Sequence, residues 1–348
     1  MARENKRNRD AKLFGRPERL ADILVHSPPD SWNLNPFLHL AAQKGILKRE
    51  DFLQTIAKIQ TEIVQATVIV ADNVNRFYYD HDKCEWDFKT DIPNCAPPMD
   101  RFLIELRTPP TIRVEDGIER TTEGMPEISG GLFYAIEAST TGNVFLAPET
   151  ESGGPMSPVH LPDAKWFIQC AMLMVQDGKP LATGTVKFFA VNESGRIISG
   201  PYTIMGGSTD GFQHTPNDIA STYDLILIPA LLALSFMHCS NVTVQPHDPD
   251  PIINRLRKKN GKKPFIRYHT INIEPMRKVL RDEGGADTHG LKKALHICRG
   301  HFATYTTSFL GRTLDKPLTI WKPAHVRGSA KEGIVLSDYN VNPGDNRG

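Results

Sequence analysis

The stretch WFIQCAMLMVQDGKPLATGTVKFFAVNESG, residues 166–195, decides the fold of this chain. It opens with an apolar run over 166–175 that combines aromatic and large aliphatic residues, which is typical of a buried strand. Asp177-Gly178 is a hairpin turn signal, and a second apolar run follows over 184–191. Asn192-Glu-Ser-Gly195 marks the next turn. The stretch therefore predicts antiparallel strands joined by short turns.

Upstream of this stretch, the apolar spacing is that of helices. From residue 35 onward, apolar residues recur three and four positions apart, and the clearest series is Phe52, Ile56, Ile59 and Ile63. We expect the second helix to continue to about Tyr79, although the β-branched run over 68–70 leaves its last third open between helix and strand. The region before the sheet is therefore predicted to be helical.

Downstream of the sheet, the pattern changes again. Asp218 is expected to cap a helix that runs to Met237 with a kink at Pro229. The polar, proline-rich joint at 247–251 is expected to be a domain boundary. Beyond it we predict helices over 252–259 and 275–281, and strands over 265–273, 295–305, 318–326 and 333–339. The predicted fold is α+β, with a loosely ordered segment over 1–34, a helical and antiparallel sheet domain over 35–248, and a smaller C-terminal α+β domain over 249–348.

Composition limits the class of protein. The chain has 348 residues, a net charge of +1, 23% charged residues and 40% hydrophobic residues, so any preference for a polyanion must be local. Five cysteines without a Cys-x-x-Cys pair predict reduced thiols in a cytoplasmic protein. The longest apolar stretch, 225–237, is interrupted by Pro229 and is too short to span a bilayer. We therefore expect no membrane span and no signal peptide.

Two histidine-bearing segments near the C-terminus have the alternation expected of facing strands. They are HICRGHFATY, residues 296–305, and WKPAHVRG, residues 321–328. Because side chains alternate along a strand, each segment should place three polar or aromatic residues on one side: Arg299, His301 and Tyr305 on the first, and Trp321, His325 and Arg327 on the second. We predict one hairpin whose polar face holds both sets, backed by a core face that includes Cys298 and Phe302.

Two imidazoles beside guanidiniums are the minimum set for cleaving RNA without a metal ion. A neutral imidazole removes the proton of the ribose 2′-hydroxyl, and a protonated one donates to the departing 5′-oxygen. His301 and His325 are the predicted acid/base pair. Arg299 and Arg327 would hold the phosphate, and Tyr305 would orient it or stack a base. Neither segment contains Asp or Glu, so we expect no divalent metal site and no cofactor.

The same pattern also fits a polar ladder on the surface of a sheet, without a catalytic role. His296 is expected on the core face, buried and hydrogen-bonded, beside Cys298. Zinc is disfavoured because Cys298 has the wrong parity to join His301 and His325.

A second cluster of charge lies just before these segments. Seven basic residues follow one another closely: Arg255, Arg257, Lys258, Lys259, Lys262, Lys263 and Arg267. Such a cluster can bind the phosphate backbone of a nucleic acid. Its alternative is a solvated helix end. Together with the histidine segments, it predicts a positively charged C-terminal domain.

The C-terminal stretch from His296 through Gly311 and 321–328 to Asp338-Tyr339 resembles a signature of uncharacterised bacterial and phage-related proteins. That resemblance implies a prokaryotic or viral setting. The order of elements, in which helices precede an antiparallel sheet with His and Arg on one face, is also similar to metal-independent ribonuclease toxins of the barnase, EndoU and RelE kind. This similarity covers about the last hundred residues and is one of architecture.

The leading hypothesis is an RNA-binding protein that cleaves RNA without a metal ion, a nuclease and hydrolase acting through its C-terminal face. The alternative is a non-catalytic binding or structural protein of a phage or mobile element, in which the same face holds a phosphate or a protein partner.

Overall fold

The structure is a computed structural model that describes residues 19–34, 36–45, 47–80, 88, 91–109, 111–113, 119–122, 125–150, 153–205, 216–240, 242–272, 294–298, 301–309, 312–322, 325–327 and 329–334. Its helices are α1 (Leu20–His26), α2 (Pro36–Gln43), α3 (Arg49–Gln65), α4 (Asp72–Asp80), α5 (Pro216–Met237) and α6 (Pro251–Lys259). The segment 1–34, expected to be loosely ordered, contains α1 in its second half, whereas residues 1–18 lie outside the described residues.

Most strands join one mixed sheet. Its members are β1 (Asn33–Leu34), β2 (Thr67–Val70), β3 (Arg101–Arg107), β6 (Ile128–Glu137), β9 (Ala164–Gln176), β10 (Lys179–Asn192), β11 (Ile197–Met205), β12 (Thr243–His247) and β13 (Tyr268–Asn272). Their order is β1-β10-β9-β6-β3-β2-β13-β12, and β11 pairs with β10 on a separate path. Two smaller hairpins flank it, formed by β4 (Thr111–Arg113) with β5 (Glu119–Thr121) and by β7 (Val144–Thr150) with β8 (Gly153–His160). The predicted α+β fold class is confirmed.

The antiparallel meander is confirmed at the stretch that predicted it. β9 and β10 pair with Gln176 opposite Lys179, and the turn between them is Asp177-Gly178. Both turn residues have positive φ, 52° and 67°, which is the conformation of a tight hairpin turn whose twist matches that of the strands. The next turn ends at Gly195, with φ 82°, before β11 begins. The turn thus sets the register of β9 and β10 from Lys179 to Ala182, and the register shifts between Ala182 and Val186.

The predicted long helix is wrong beyond Gln65. The chain leaves α3 there, forms the parallel strand β2 and re-enters a helix at Asp72. β2 consists of Thr67-Val-Ile-Val70, pairs in parallel with both β3 and β13, and buries Val68 and Ile69 on opposite faces. β-Branched residues that are buried on both sides favour a central parallel strand over a helix. The strand–helix–strand unit made by β2, α4 and β3 is a feature that the sequence reading missed.

Helices cover both faces of the mixed sheet. Side chains of α1 and α3 pack on one face against Val68, Leu103 and Leu132. α5 packs against β3, β6 and α4 on the other, where Phe102 stacks on Phe133 with ring centroids 4.8 Å apart. Each fully buried large apolar side chain contributes roughly 1.5–3 kcal/mol, so this two-sided burial stabilises the sheet. No helix within the described residues is long and apolar enough to cross a bilayer.

The chain divides into two compact units at a place other than the predicted one. Unit 1 comprises 1–238 and 244–272, and unit 2 comprises 239–243 and 273–348. The prediction placed the boundary at residue 248, but α6 is followed by β13, which pairs with β2 inside the mixed sheet. The seven basic residues around α6 therefore belong to unit 1, while the histidine segments belong to unit 2.

Unit 2 consists of short paired strands in its described part. They are β14 (Ala294–Cys298), β15 (His301–Tyr305), β16 (Ser308–Phe309), β17 (Arg312–Thr313), β18 (Leu318–Lys322), β19 (His325–Arg327) and β20 (Ser329–Ile334). The predicted strands over 295–305 and 318–326 are observed, each in two pieces. The predicted helix over 275–281 and the end of the predicted strand over 333–339 lie outside the described residues.

Candidate functional site

The two histidine-bearing segments pair as antiparallel strands, as the sequence predicted. β14 pairs with β19 in a ladder that sets His296 opposite Arg327 and Cys298 opposite His325. Positions that lie directly opposite in such a ladder share one face of the sheet. His296, Cys298, His325 and Arg327 therefore occupy one face of this ladder.

The second part of the same pairing joins β15 to β18. Here His301 lies opposite Lys322, and Tyr305 lies opposite Leu318. Three positions separate Cys298 from His301 on one segment, and three separate Lys322 from His325 on the other. Both ladders thus follow one register.

This register corrects the predicted face. The prediction placed Cys298 and His296 on a core face, away from His325 and Arg327, whereas the ladder puts all four positions on the same side. Parity along one strand does not fix which residue of the partner strand lies opposite, so the faces of the two strands could not be matched from the sequence.

The predicted acid/base pair, His301 and His325, is not a directly opposed pair. His301 lies opposite Lys322 in the β15–β18 ladder, whereas His325 lies opposite Cys298 in the β14–β19 ladder. Residues 299, 300, 323 and 324 between the two ladders, including the predicted phosphate ligand Arg299, lie outside the described residues. The pair that the ladder does put on one face is His296 and His325, one diagonal step apart.

Tyr305, the fifth predicted residue of this site, packs within its own unit. Its ring is half-buried and contacts the ring of Phe309, with centroids 4.7 Å apart and an interplanar angle of 54°. This contact gives Tyr305 a packing role next to the β15–β18 ladder.

The basic segment lies on α6 and the loop that follows it. Asp250 caps α6, because its Oδ1 accepts hydrogen bonds from the backbone N–H groups of Ile252 and Ile253, at 2.7 and 3.3 Å. Six of the seven predicted phosphate-binding residues are exposed: Arg255, Lys258, Lys259, Lys262, Lys263 and Arg267. The segment thus presents most of its charge to solvent.

Arg257, the seventh residue, has a structural position. It is only 3% exposed. Its Nε donates to the carbonyl oxygen of Lys263 at 2.9 Å, and its guanidinium lies 4.0 Å from the ring centroid of Phe265. Burial is the main cause that lowers the pKa of this guanidinium. Arg257 therefore holds the loop in place rather than presenting charge.

Residues of α1, and Arg19 just before it, form hydrogen bonds with the loop that follows α6, called the basic loop below. Asp22 Oδ1 accepts a hydrogen bond from the N–H of Ile266 at 3.0 Å, and Arg19 donates to the carbonyl oxygen of Ile266 at 2.5 Å. Lys263 Nζ donates to the carbonyl oxygen of Val25 at 2.9 Å. These partners are more than two hundred positions apart in sequence, so no local pattern could have predicted them. They fix the backbone that carries Lys262 and Lys263.

His26 completes this support. Its Nε2 lies 3.0 Å from the carbonyl oxygen of Lys263, 3.2 Å from that of Pro264 and 3.2 Å from Nη2 of Arg257. The carbonyl oxygens accept only from an N–H, and the guanidinium donates only to a lone pair, so one nitrogen cannot serve both at once. Burial, followed by the charge of Arg257, lowers the pKa of His26. His26 therefore anchors the basic loop through a nitrogen that can either donate to the two carbonyl oxygens or accept from Arg257.

A second cluster of charge, which sequence reasoning missed, lies beside the carboxyl-terminal end of β3. Glu105 is 2% exposed, and its Oε1 accepts a hydrogen bond from the N–H of Ala21 at 2.6 Å. Burial raises the pKa of Glu105 to about 7, and the positive charge of Arg19 opposes that rise. Asp72, which follows β2, accepts from the N–H of Arg107 at 2.8 Å. A glutamate inside the apolar strand 102–106 is the signal that could have found this cluster.

A buried ion pair joins Lys187 of β10 to Asp224 of α5. Lys187 is 1% exposed, and its Nζ donates to Asp224 Oδ1 at 2.7 Å. Desolvation raises the pKa of Asp224, while the ammonium of Lys187 lowers it. The carboxylate of Asp224 thus places a negative charge beside the buried ammonium of Lys187, next to the apolar residues 188–190 of β10.

Among the residues that the structure describes, no three His, Cys, Asp or Glu side chains are grouped so that they could hold a metal ion. Comparison with known proteins gives no further assignment. No protein-family model matches this chain, and no curated protein matches its sequence.

Proposed function

We propose that this protein binds RNA through the basic surface, defined as the exposed side chains of Arg255, Lys258, Lys259 and Lys262. The observation that carries the proposal is that these four cations project from one short helix and its loop. In the described part of the chain, no carboxylate forms an ion pair with Arg255, Lys258 or Lys259. Clustered cations of this kind neutralise phosphates and release counterions. In this proposal the protein acts in the cytoplasm, where thiols remain reduced.

The anchoring of the loop also supports RNA binding. A polyanion site gains affinity when its cations need little ordering on binding. The backbone that carries Lys262 is held by Arg257, because Lys262 N–H donates to the carbonyl oxygen of Arg257 at 2.9 Å. Phe265 N–H donates to Asn254 Oδ1 at 2.7 Å, which closes the loop onto α6.

Charge reversal tests the proposal. We expect the combined substitutions Arg255→Glu, Lys258→Glu and Lys259→Glu to weaken binding of a labelled single-stranded RNA strongly. Lys58→Glu with Lys179→Glu is the control, because these lysines are exposed elsewhere in unit 1. If each of the three cations neutralises one phosphate, removing all three should reduce the salt slope of log K by about 2, at about 0.7 for each contact with a single strand. Equal loss of affinity in both variants would contradict the proposal.

A second candidate activity is cleavage of RNA by the β14–β19 ladder without a metal ion. The specific observation in its favour is that two histidine positions and one arginine position, His296, His325 and Arg327, share one face. In such a site one imidazole acts as base and the other as acid, while the guanidinium holds the phosphate. This proposal replaces His301 by His296 as the partner of His325.

Single-residue variants distinguish these assignments. RNA is incubated with the full chain in the presence of a chelator, and cleavage products are separated on a gel. We expect His296→Ala and His325→Ala each to abolish cleavage without loss of RNA affinity. His301→Ala should still cleave RNA. Binding without cleavage by the wild-type protein would instead support the non-catalytic binding protein of a phage or mobile element.

A further inference from the structure

An aromatic pair lies at the end of the basic segment. The imidazole of His247 stacks on the ring of Tyr268, with centroids 4.8 Å apart and an interplanar angle of 14°. His247 Nε2 lies 2.8 Å from Thr270 Oγ1, which fixes the orientation of the imidazole. The guanidinium of Arg19 lies 4.0 Å from the ring centroid of Tyr268. The ring of Tyr268 therefore contacts two groups, the imidazole of His247 and the guanidinium of Arg19.

The position of His247 makes it accessible. It is the last residue of β12, which ends the strand order of the mixed sheet and pairs with β13 alone among the described strands. Its neighbours Gln245 and Pro246 are exposed, and both rings of the pair are half-buried. The aromatic pair is therefore partly exposed to solvent at this edge of the sheet.

The aromatic pair adjoins the charged segment directly. Arg267 precedes Tyr268, Asp248 follows His247, and Arg267 Nε lies 3.2 Å from Asp248 Oδ1. Both side chains of this ion pair are more than half exposed. The basic segment therefore ends at Arg267, immediately before Tyr268 of the aromatic pair, within unit 1.

We infer that the His247–Tyr268 pair is a stacking platform for a base of single-stranded RNA. This inference rests on the proposed RNA binding and names the form of RNA. Proteins that bind single strands combine cations that follow the backbone with aromatic rings on which unpaired bases stack. Bases in a duplex are already stacked on one another and cannot reach such a ring. The basic surface then supplies affinity, and His247 supplies the preference for an unpaired strand.

The test uses the full chain and an oligouridylate that carries one 2-aminopurine, because uridines stack weakly on the probe in the free strand; the strand is used alone or annealed to its complement. Stacking quenches 2-aminopurine fluorescence. We expect His247→Leu to weaken binding of the single strand roughly tenfold and to abolish quenching, because one stacked base contributes about that much. Duplex binding should stay unchanged. His247→Phe keeps a flat ring and should retain both affinity and quenching.

Two controls separate the outcomes. Thermal unfolding of each variant shows that the chain is folded, and Thr270→Val removes the hydrogen bond of His247 while leaving its ring. Single-strand binding that is lost on charge reversal of the basic surface but unaltered in His247→Leu would overturn the platform and leave RNA binding in place. Equal losses in His247→Leu and His247→Phe would also overturn it. Absence of RNA binding by the wild-type protein would overturn both proposals.

Discussion

Cys298 and His325 lie directly opposite each other in the antiparallel ladder between β14 and β19. This pairing decides which residues of the C-terminal hairpin can act together. It brings His325 onto the face of His296 and sets Arg327 opposite His296. The chemistry proposed for this hairpin therefore depends on the register of one pair of strands, because a shift by one residue would exchange the two faces.

A cross-link tests that register. Directly opposed residues in an antiparallel ladder have Cα atoms about 4.5–5.5 Å apart, a spacing that a disulfide bond accepts. We expect His325→Cys to form a disulfide with Cys298 under mild oxidation, detected by mass spectrometry of the digested protein. Lys322→Cys is the control, because Lys322 lies opposite His301 and should not cross-link to Cys298. Efficient cross-linking of the control instead would show that the register is different.

The meander could be predicted from sequence because its determinants are local. Asp177-Gly178 adopts positive φ at both residues, and the apolar runs on either side lie within β9 and β10. The pairing of the two histidine segments was also predictable from their alternation. In both cases, the information lies within a few residues of the feature that it specifies.

Long-range contacts explain what the sequence could not predict. The burial of Arg257 depends on Phe265 and on His26 of α1, and the role of Arg19 depends on Ile266. A lysine-rich helix end gives no sign of which cation will turn inward. The register of β14 and β19 is likewise a property of two strands together, so the faces assigned to each separately did not match.

The stability of unit 1 should depend on pH through Glu105. Its pKa is about 7 in the folded chain, above its ordinary value of 4.5, so the folded state holds a proton that the unfolded state releases. The contribution of Glu105 to stability is then greatest below about pH 4.5, falls as the pH rises towards 7 and is constant above it. The loss is about 3 kcal/mol, at about 1.4 kcal/mol for each pH unit.

Glu105→Gln should remove this dependence, because the amide is neutral at every pH and its oxygen can still accept from Ala21. Urea unfolding of wild type and variant is measured at about pH 4.5 and about pH 8. We expect the variant to gain about 3 kcal/mol relative to wild type between the two values. Glu127→Gln, at an exposed position, is the control and should leave the difference near zero. An unchanged dependence in Glu105→Gln would show that other groups cause it.

Removing one partner of the buried ion pair between Lys187 and Asp224 should lower the free energy of unfolding. Lys187 is almost fully buried, whereas the side chain of Asp224 is 29% exposed. Asp224→Ala removes the carboxylate that accepts from the ammonium, and loss of one partner of a buried pair typically costs about 3 kcal/mol. Lys187→Met with Asp224→Ala should be more stable than Asp224→Ala alone, as measured by urea unfolding. If the double variant is less stable than that single variant, the pair does not act as proposed.

The basic loop should respond to pH through His26. Burial lowers the pKa of His26, the charge of Arg257 lowers it further, and the charge of Asp22 opposes the change. Since the folded pKa is depressed, the neutral form favours folding, and its contribution is lost as the pH falls through the folded pKa, below 6.5. Protonation places a third cation beside Arg257 and Lys263 and removes the lone pair that can accept from Arg257. The imidazolium then donates to the carbonyl oxygens of the loop.

Amide resonances report this exchange without any RNA. We expect the backbone N–H signals of Lys262, Lys263 and Phe265 to shift together between about pH 7.5 and about pH 5.5, with a midpoint below the ordinary histidine value. His26→Gln should abolish the shift, because a carboxamide does not titrate in this range. His160→Gln, on an exposed strand, should leave it intact. A shift that persists in His26→Gln would assign the change to another group, since His26 is the histidine in contact with this loop through its Nε2.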